Sequence, residues 1–267
     1  MRSNDEKTAF SIYQVLGDET EKFNGNTAAV VELSKDIGAN HMQKMAADYN
    51  QPATSFIWRD HDYWNVKWFA PDGEIELCGH GSFAALGHLF HEQNMKHVKL
   101  RYDKGYIIGE IKNSNYCSIS LQAIYAEDNS EPEKALINGL GVDILAHHKT
   151  NNKNIVAVRN ESAVKNMQPD FATLSKCQDF GFVITAPGNK VDFVSRTLVP
   201  HVKQLEDPAT GSSHTILTPY WSSKLGKKRM TAHQLSNRGG KFVCEIEHDL
   251  VTLSGEFKRL VKGVATL

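Results

Sequence analysis

Apolar residues fall along this chain in two rhythms. The commoner is the two-residue alternation of half-buried strands, in short runs rich in β-branched and aromatic side chains. These cover 10–16, 28–33, 54–58, 63–69, 98–101, 106–111 and 116–121, then 155–158, 180–185, 191–198, 230–235, 241–246 and 250–253. Turn residues punctuate them, among them Asn24-Gly25-Asn26 and Pro71-Asp72-Gly73. Two stretches break the alternation. Leu77-Cys78-Gly79-His80-Gly81 leads into a segment with no acidic or basic charge before Glu92, and Thr210-Gly211-Ser212-Ser213-His214 leads into a similar one running to Trp221. A helix that is apolar nearly all round belongs inside a core. An ordinary amphipathic helix is predicted over 41–48, with Asn40 as its N-cap, Met42, Met45 and Ala46 on one face, and Gln51-Pro52 ending it. A short helix ends near Leu140.

Helices are too few among these strands for regular βαβ units, so a doubly wound parallel sheet fits poorly. The pattern predicts an α+β fold of two similar domains, each a mostly antiparallel sheet wrapped around a central buried helix. The polar passage Ala126-Glu127-Asp128-Asn129-Ser130-Glu131-Pro132-Glu133 marks the boundary, giving domains 1–125 and 126–254. A return of the last strand, about 255–267, to the first domain is left open.

The 267 residues suffice for two such domains, and 40% hydrophobic with 23% charged residues is an ordinary globular composition. A formal charge of −1, with both signs interspersed, offers no field for nucleic acid or an anionic membrane. A small-molecule partner is the expectation. Lys224, Lys227, Lys228 and Arg229 form a basic helix end too local to change it. The polar start is unlike a signal peptide, and no run reaches the roughly 20 apolar residues of a membrane span. A cytoplasmic protein is expected. Cysteines at 78, 117, 177 and 244 make no CxxC pair, which argues against structural zinc or a disulfide framework. Packed filler is the favoured reading for all four. His88, His91, His147 and His148 lack the carboxylate or thiol partners of a metal site. The four tryptophans read as core or interface aromatics.

Chemistry concentrates where the two apolar helices begin. A helix N-terminus presents unpaired N–H groups and an effective charge of about +0.5, suited to a carboxylate. Gly79, Gly81 and Gly211 would let a ligand approach the backbone, or simply turn strand into helix. The helix end disfavours the cationic form of His80, leaving a neutral imidazole able to bond a substrate amine or hydroxyl, or to shuttle a proton. Asp207, set before Pro208, could receive a proton, bind an amine or cap the helix. Glu206 alternates to the other face. Ser212 could donate to a substrate carboxylate or satisfy the backbone.

Four blocks together carry a resemblance. Phe23-Asn24-Gly25-Asn26-Thr27-Ala28-Ala29-Val30, Trp68-Phe69-Ala70-Pro71, Glu76-Leu77-Cys78-Gly79-His80-Gly81 and Glu206-Asp207-Pro208-Ala209-Thr210-Gly211-Ser212 resemble, in order and spacing, the signatures of the phenazine-biosynthesis (PhzF-like) isomerase family. The resemblance implies the diaminopimelate-epimerase-like fold with an active-site cleft between its domains, no metal, no organic cofactor, and a homodimer. It implies His80 and Asp207 as catalytic groups, with Gly79, Gly81, Thr210, Gly211 and Ser212 binding the carboxylate of a small substrate. One position departs. Where the family carries an acid–base Glu, in a segment similar to Asn-Leu-Ser-Glu-Thr-Ala-Phe, this chain has Asn50-Gln51-Pro52-Ala53-Thr54-Ser55-Phe56, so the Glu position is Ala53. A positioned acid–base group is worth typically 10²–10⁴-fold. Two expectations follow: a cofactor-independent isomerase or epimerase working without that Glu, or an impaired scaffold that binds or regulates. Cys78-Gly79-His80-Gly81 also resembles the cysteine turn of diaminopimelate epimerase, but no cysteine lies near 207–213 to make a two-thiol racemase.

Overall fold

The computed structural model describes residues 7–267. They divide into two compact units.

The first unit comprises the described residues up to Gly17, with Asn26–Leu121 and Ser254–Leu267. It contains β1 (Lys7–Val15), β2 (Asn26–Leu33), α1 (Ala39–Tyr49), β3 (Thr54–Asp60), β4 (Tyr63–Ala70), β5 (Gly73–Ile75), α2 (Gly79–Gln93), β6 (His97–Tyr102), β7 (Gly105–Asn113) and β8 (Tyr116–Gln122). Strand order is β1-β2-β3-β4-β6-β7-β8, followed by the last strand of the chain, which pairs with β8 and also antiparallel with β1. The path therefore closes on itself. Most neighbours are antiparallel; β2 with β3 and β4 with β6 are parallel, and these are the two junctions crossed by α1 and α2.

Helix α2 is buried from Gly79 to Leu89, as a segment without a polar face requires. Its fit is close: a methyl on Gly87 would come within 2.7 Å of the Phe257 ring and 3.0 Å of Tyr13, and Gly109 of β7 leaves its Cα bare for the Leu86 side chain. Helix α1 packs its buried Met42, Met45 and Ala46 on Val31, Phe56 and Phe69. Its N-cap is Gly38, at φ 84°, and no side chain caps it, so Asn40 lies inside the helix instead of capping it.

The second unit comprises Asp18–Gly25 and Gln122–Leu253. It contains α3 (Lys134–Leu140), β9 (Ala146–His148), β10 (Asn154–Ala157), α4 (Glu161–Asn166), α5 (Phe171–Leu174), β11 (Phe182–Pro187), β12 (Phe193–Val199), β13 (Leu205–Asp207), α6 (Gly211–Leu225), β14 (Arg229–Gln234), β15 (Gly240–Glu247) and the beginning of β16 (Leu250–Thr266), the strand that completes the first unit. From β15 the order is β14-β12-β11-β10-β9, with β13 hydrogen-bonded to β12. Again the parallel pairs, β12 with β14 and β10 with β11, flank the helical crossovers.

The units part at Leu121/Gln122, a few residues before the polar passage at 126–133. The segment Asp18–Gly25 groups with the second unit although β1 and β2 on either side of it are in the first. Asn24 and Gly25 donate backbone N–H groups to the carbonyls of Arg238 and Gly239, and the Phe23 ring meets His233 edge-on at 4.9 Å. These contacts link residues too far apart in sequence for any local pattern to register.

Helix α6 carries Pro219 in its interior, where proline withholds the N–H that Thr215 C=O would accept. That carbonyl accepts the N–H of Ile124 instead, at 3.1 Å. Among the described residues no helix is long and apolar enough to cross a membrane.

Candidate functional site

The two apolar helices begin in nearly the same way. Each has fifteen residues and follows a short strand, and the N-cap backbone is extended in both: Cys78 at φ −121°, ψ 101° and Thr210 at φ −116°, ψ 104°. Neither first turn contains an acidic residue. Each end is thus a buried set of N–H groups without a carboxylate of its own helix to answer it.

At α2, the cap is the sulfur of Cys78, which accepts the Gly81 N–H at 3.3 Å. The same sulfur lies 3.5 Å from Nδ1 and 3.7 Å from Nε2 of His80, whose side chain is buried at the second helical position. Cys78 O accepts both the backbone N–H and the hydroxyl of Ser82. Ser55 of β3 donates its hydroxyl to Gly81 O at 2.9 Å. Across the strands Ser55 faces Trp68, and the side chain of Trp68 packs against Gly81: a methyl there would lie 2.6 Å from the indole Cδ1. Glycine at 81 is therefore required by space. Ala53 lies immediately before β3, two residues from Ser55. Ala53 is fully buried, with its carbonyl bound by the Ala29 N–H, and it presents only a methyl.

At α6, Gln234, from the end of β14, holds the cap. Its Oε1 accepts the Thr210 N–H at 2.8 Å, and its Nε2 donates to Thr210 Oγ1 at 3.1 Å and to the carbonyl of Asp207. Thr210 O in turn accepts from Nδ1 of His214 at 2.8 Å. Ser212 Oγ accepts a proton of the buried Lys153 ammonium at 3.0 Å, and Asn152 Oδ1 takes another at 2.8 Å. Ser213 receives the Thr197 hydroxyl at 3.0 Å. Gly211 opens the helix, and Asp207 ends β13 half-buried. Glu206 is engaged elsewhere, in a two-pronged bond with Arg196 at 2.7 and 2.8 Å.

Burial acts unevenly on the titratable groups. It lowers His214 to about 4, with the Thr210 carbonyl opposing only in part, so this imidazole is neutral at pH 7. It pushes the Cys177 thiol up to about 11, Cys244 to about 12 and Cys117 further still. Those three are packed fillers. Cys78 is not simply a filler, since it caps a helix. Among the described residues no group of three or more His, Cys, Asp or Glu could hold a metal ion.

Each unit thus gathers its own share of the expected groups: Gly79, His80 and Gly81 at the start of α2, with Ala53 buried just before β3, and Asp207, Thr210, Gly211 and Ser212 around the start of α6. Gln234, Lys153, Ser55 and Trp68 were not singled out by the sequence as members of these shells. Gln234 and Lys153 come from a strand end and a loop distant in sequence, with no motif around them, whereas Ser55 and Trp68 lie inside the segments 50–56 and 68–71 quoted above without being given a contact there.

The comparisons with known proteins agree with one another. Residues 19–266 match the family model for phenazine biosynthesis-like proteins, PhzC-PhzF. The chain is 33% identical over 256 residues to an uncharacterized isomerase of Pseudomonas aeruginosa, covering 94% of this chain and 96% of that one. A PhzF-family crystal structure from Enterococcus faecalis superposes with a TM-score of 0.89 at 30% identity, over 98% of this chain and 100% of the other. A hydroxyproline epimerase from Agrobacterium vitis, at 8% identity, shares the fold with a TM-score of 0.69 over 100% of this chain and 94% of that one.

Proposed function

The chain belongs to the phenazine biosynthesis-like (PhzF) family, and from that premise we propose that it is a cofactor-independent isomerase or epimerase acting on a small carboxylate by proton transfer. The observation that supports this most is the pair of buried, uncapped-by-acid helix starts, each lined by groups that can donate a hydrogen bond. In this reading the N–H groups at Gly79, Gly211 and Ser212 bind the acid group of an amino acid or cyclohexadiene acid, while Gly81 and Thr210, whose own N–H groups are bonded to Cys78 Sγ and Gln234 Oε1, shape the turns that present them. His80 and Asp207 orient the substrate and exchange protons. Each unit is an epimerase-like domain built on its buried helix, and the working form is a cytoplasmic homodimer, which light scattering on the purified protein tests.

Incubating the full chain in deuterium oxide with the proteinogenic amino acids and with cyclohexadiene carboxylic acids tests the chemistry. Proton NMR then follows loss of hydrogen from the carbon beside the carboxylate. Exchange in the wild type that falls at least 10²-fold in Asp207→Ala supports the assignment. Exchange unchanged by that substitution removes Asp207 from the mechanism.

The buried methyl of Ala53 favours a second reading, a scaffold that binds a carboxylate without turnover. That protein would bind without exchange, and Ala53→Glu would create exchange. Activity in the unaltered chain excludes it.

A further inference from the structure

A buried ammonium stands against the first turn of α6. Lys153 is 6% exposed, and its Nζ donates to Ser212 Oγ at 3.0 Å and to Asn152 Oδ1 at 2.8 Å. We propose that Lys153 is a positioning residue for an acid group bound at the start of α6. By taking a lone pair of Ser212 Oγ, it commits the serine hydroxyl to donate to a carboxylate oxygen. This rests on the proposed reading's placement of the acid group there, and it names the group that makes the site prefer an anion to a neutral ligand.

Three features of the geometry support it. First, the direction of the Lys153–Ser212 bond is fixed, because an ammonium has donors and no acceptor. The neighbouring Thr197–Ser213 pair, two hydroxyls at 3.0 Å, can reverse; this one cannot. Ser212 is 7% exposed, and its hydroxyl proton has no acceptor among the described residues. A buried donor left over is costly, and an anion oxygen at this turn would accept it. Second, the lysine is held in place on both sides. Thr150 Oγ1 donates to Lys153 O at 2.9 Å and accepts the Asn152 N–H at 3.0 Å, and the Asn154 N–H reaches Gly181 O at 3.0 Å. The stem passes Gly181, where a methyl would lie 3.5 Å from Lys153 Cγ, and the Phe180 ring lies 5.6 Å from Nζ. An ammonium ordered in advance loses little freedom when a ligand arrives. Third, two positive ends meet at one hydroxyl. Ser212 is the second residue of a fifteen-residue helix whose first turn has no acidic side chain, so the helix dipole and the ammonium add at the same point. A bound anion answers both.

The consequence for binding follows from what each group can offer. Ser212 turns two donors on one acid group, its backbone N–H and its hydroxyl, and the hydroxyl is the stronger for being polarised by the ammonium. Lys153 supplies its charge at one remove, through the serine oxygen. A neutral amide has an oxygen that can accept the same two bonds but gains nothing from the charge. Preference for the anion is therefore carried by Lys153 and delivered by Ser212.

Calorimetric titration of the full chain with benzoate reads binding apart from turnover, since the carbon beside its carboxylate has no hydrogen to exchange. Benzamide is the neutral control. The wild type should bind benzoate about tenfold or more tightly than benzamide, and Lys153→Met, similar in length and uncharged, should weaken benzoate about 10- to 100-fold while leaving benzamide nearly unchanged. Lys153→Arg should recover most of that loss. Ser212→Ala should weaken benzoate as much as Lys153→Met does, and combining the two should cost less than about a further twofold, as expected of a residue that acts through the serine. Asn152→Ala, a milder change in the loop, should weaken benzoate severalfold and keeps the test decisive if the methionine variant does not fold. Benzoate binding that ignores Lys153, losses that multiply, or a wild type without preference for benzoate overturns the proposal. In the deuterium assay the same loss should fall on KM more than on kcat for the acid that exchanges. Exchange with KM unmoved in Lys153→Met overturns the role of Lys153 and leaves the isomerase reading standing. A wild type that exchanges none of the acids but binds benzoate through Lys153 defeats the isomerase reading and supports the positioning role.

Discussion

Gln234→Met isolates the clamp on α6. Methionine nearly preserves the volume of the fully buried glutamine but offers none of its three hydrogen bonds, to Thr210 N–H, Thr210 Oγ1 and Asp207 O. The Thr210 amide and hydroxyl are buried and would lose these partners, whereas the half-buried Asp207 can recover part of its bonding from water. A buried polar group stripped of its partner costs about 1–3 kcal/mol. The two Thr210 groups together therefore predict a loss of about 2–4 kcal/mol, partly relieved by relaxation. Hydrogen exchange read by mass spectrometry places the loss. Protection should fall by about 10²-fold in peptides covering Asp207 to His214, with the β6–β7 hairpin of the first unit unaffected; tenfold corresponds to about 1.4 kcal/mol. Urea unfolding followed through Trp221, which lies on α6 and bonds Thr185, gives the total. A loss under 1 kcal/mol, or protection lost evenly across both units, would refute the clamp.

Two further perturbations have signs fixed by the geometry. Gly109→Ala drives a methyl into Leu86 and should destabilise by about 1–3 kcal/mol, while the double variant with Leu86→Ala should be less unstable than the sum of the two, as thermal melts would show. His214 is lowered to about 4 in the fold against 6.5 unfolded, so the unfolded state binds the proton more readily. Its contribution is complete above pH 6.5 and declines as pH falls toward 4, by roughly 3 kcal/mol. His214→Phe should flatten that part of the stability–pH curve measured by urea midpoints.

Much of the fold could be read before the structure, for reasons that differ by element. Segments 77–90 and 210–221 stood out because a helix apolar on every side leaves an unbroken apolar signature. The C-cap of α2, Asn94, takes the left-handed conformation that asparagine tolerates. The short helices α4 and α5 escaped notice: each is barely a turn or two, started by Asn160 or Asp170 accepting backbone N–H groups, and such caps look like loop residues in sequence. Strand β13 has three residues, too few for an alternation. In the site, glycines and His80 could be picked out because a turn before an apolar helix is a local event. Gln234 and Lys153 could not, because their partners at Thr210 and Ser212 lie tens of residues away. Cys78 was underrated for a related reason. A thiol reads as a small hydrophobe until its sulfur is seen receiving an N–H.

The bond between Ile124 and Thr215 has a consequence for how this chain assembles. An interior proline withdraws one rung of α6, and the donor that replaces it arrives from the segment just beyond β8. Helix α6 cannot complete its own ladder in isolation, and the carbonyl left over finds its donor in a segment that leaves the ribosome much earlier. Synthesis order thus makes the donor available before its acceptor, and a rearranged chain that reversed that order would make α6 while the Thr215 carbonyl still lacked its partner from the protein.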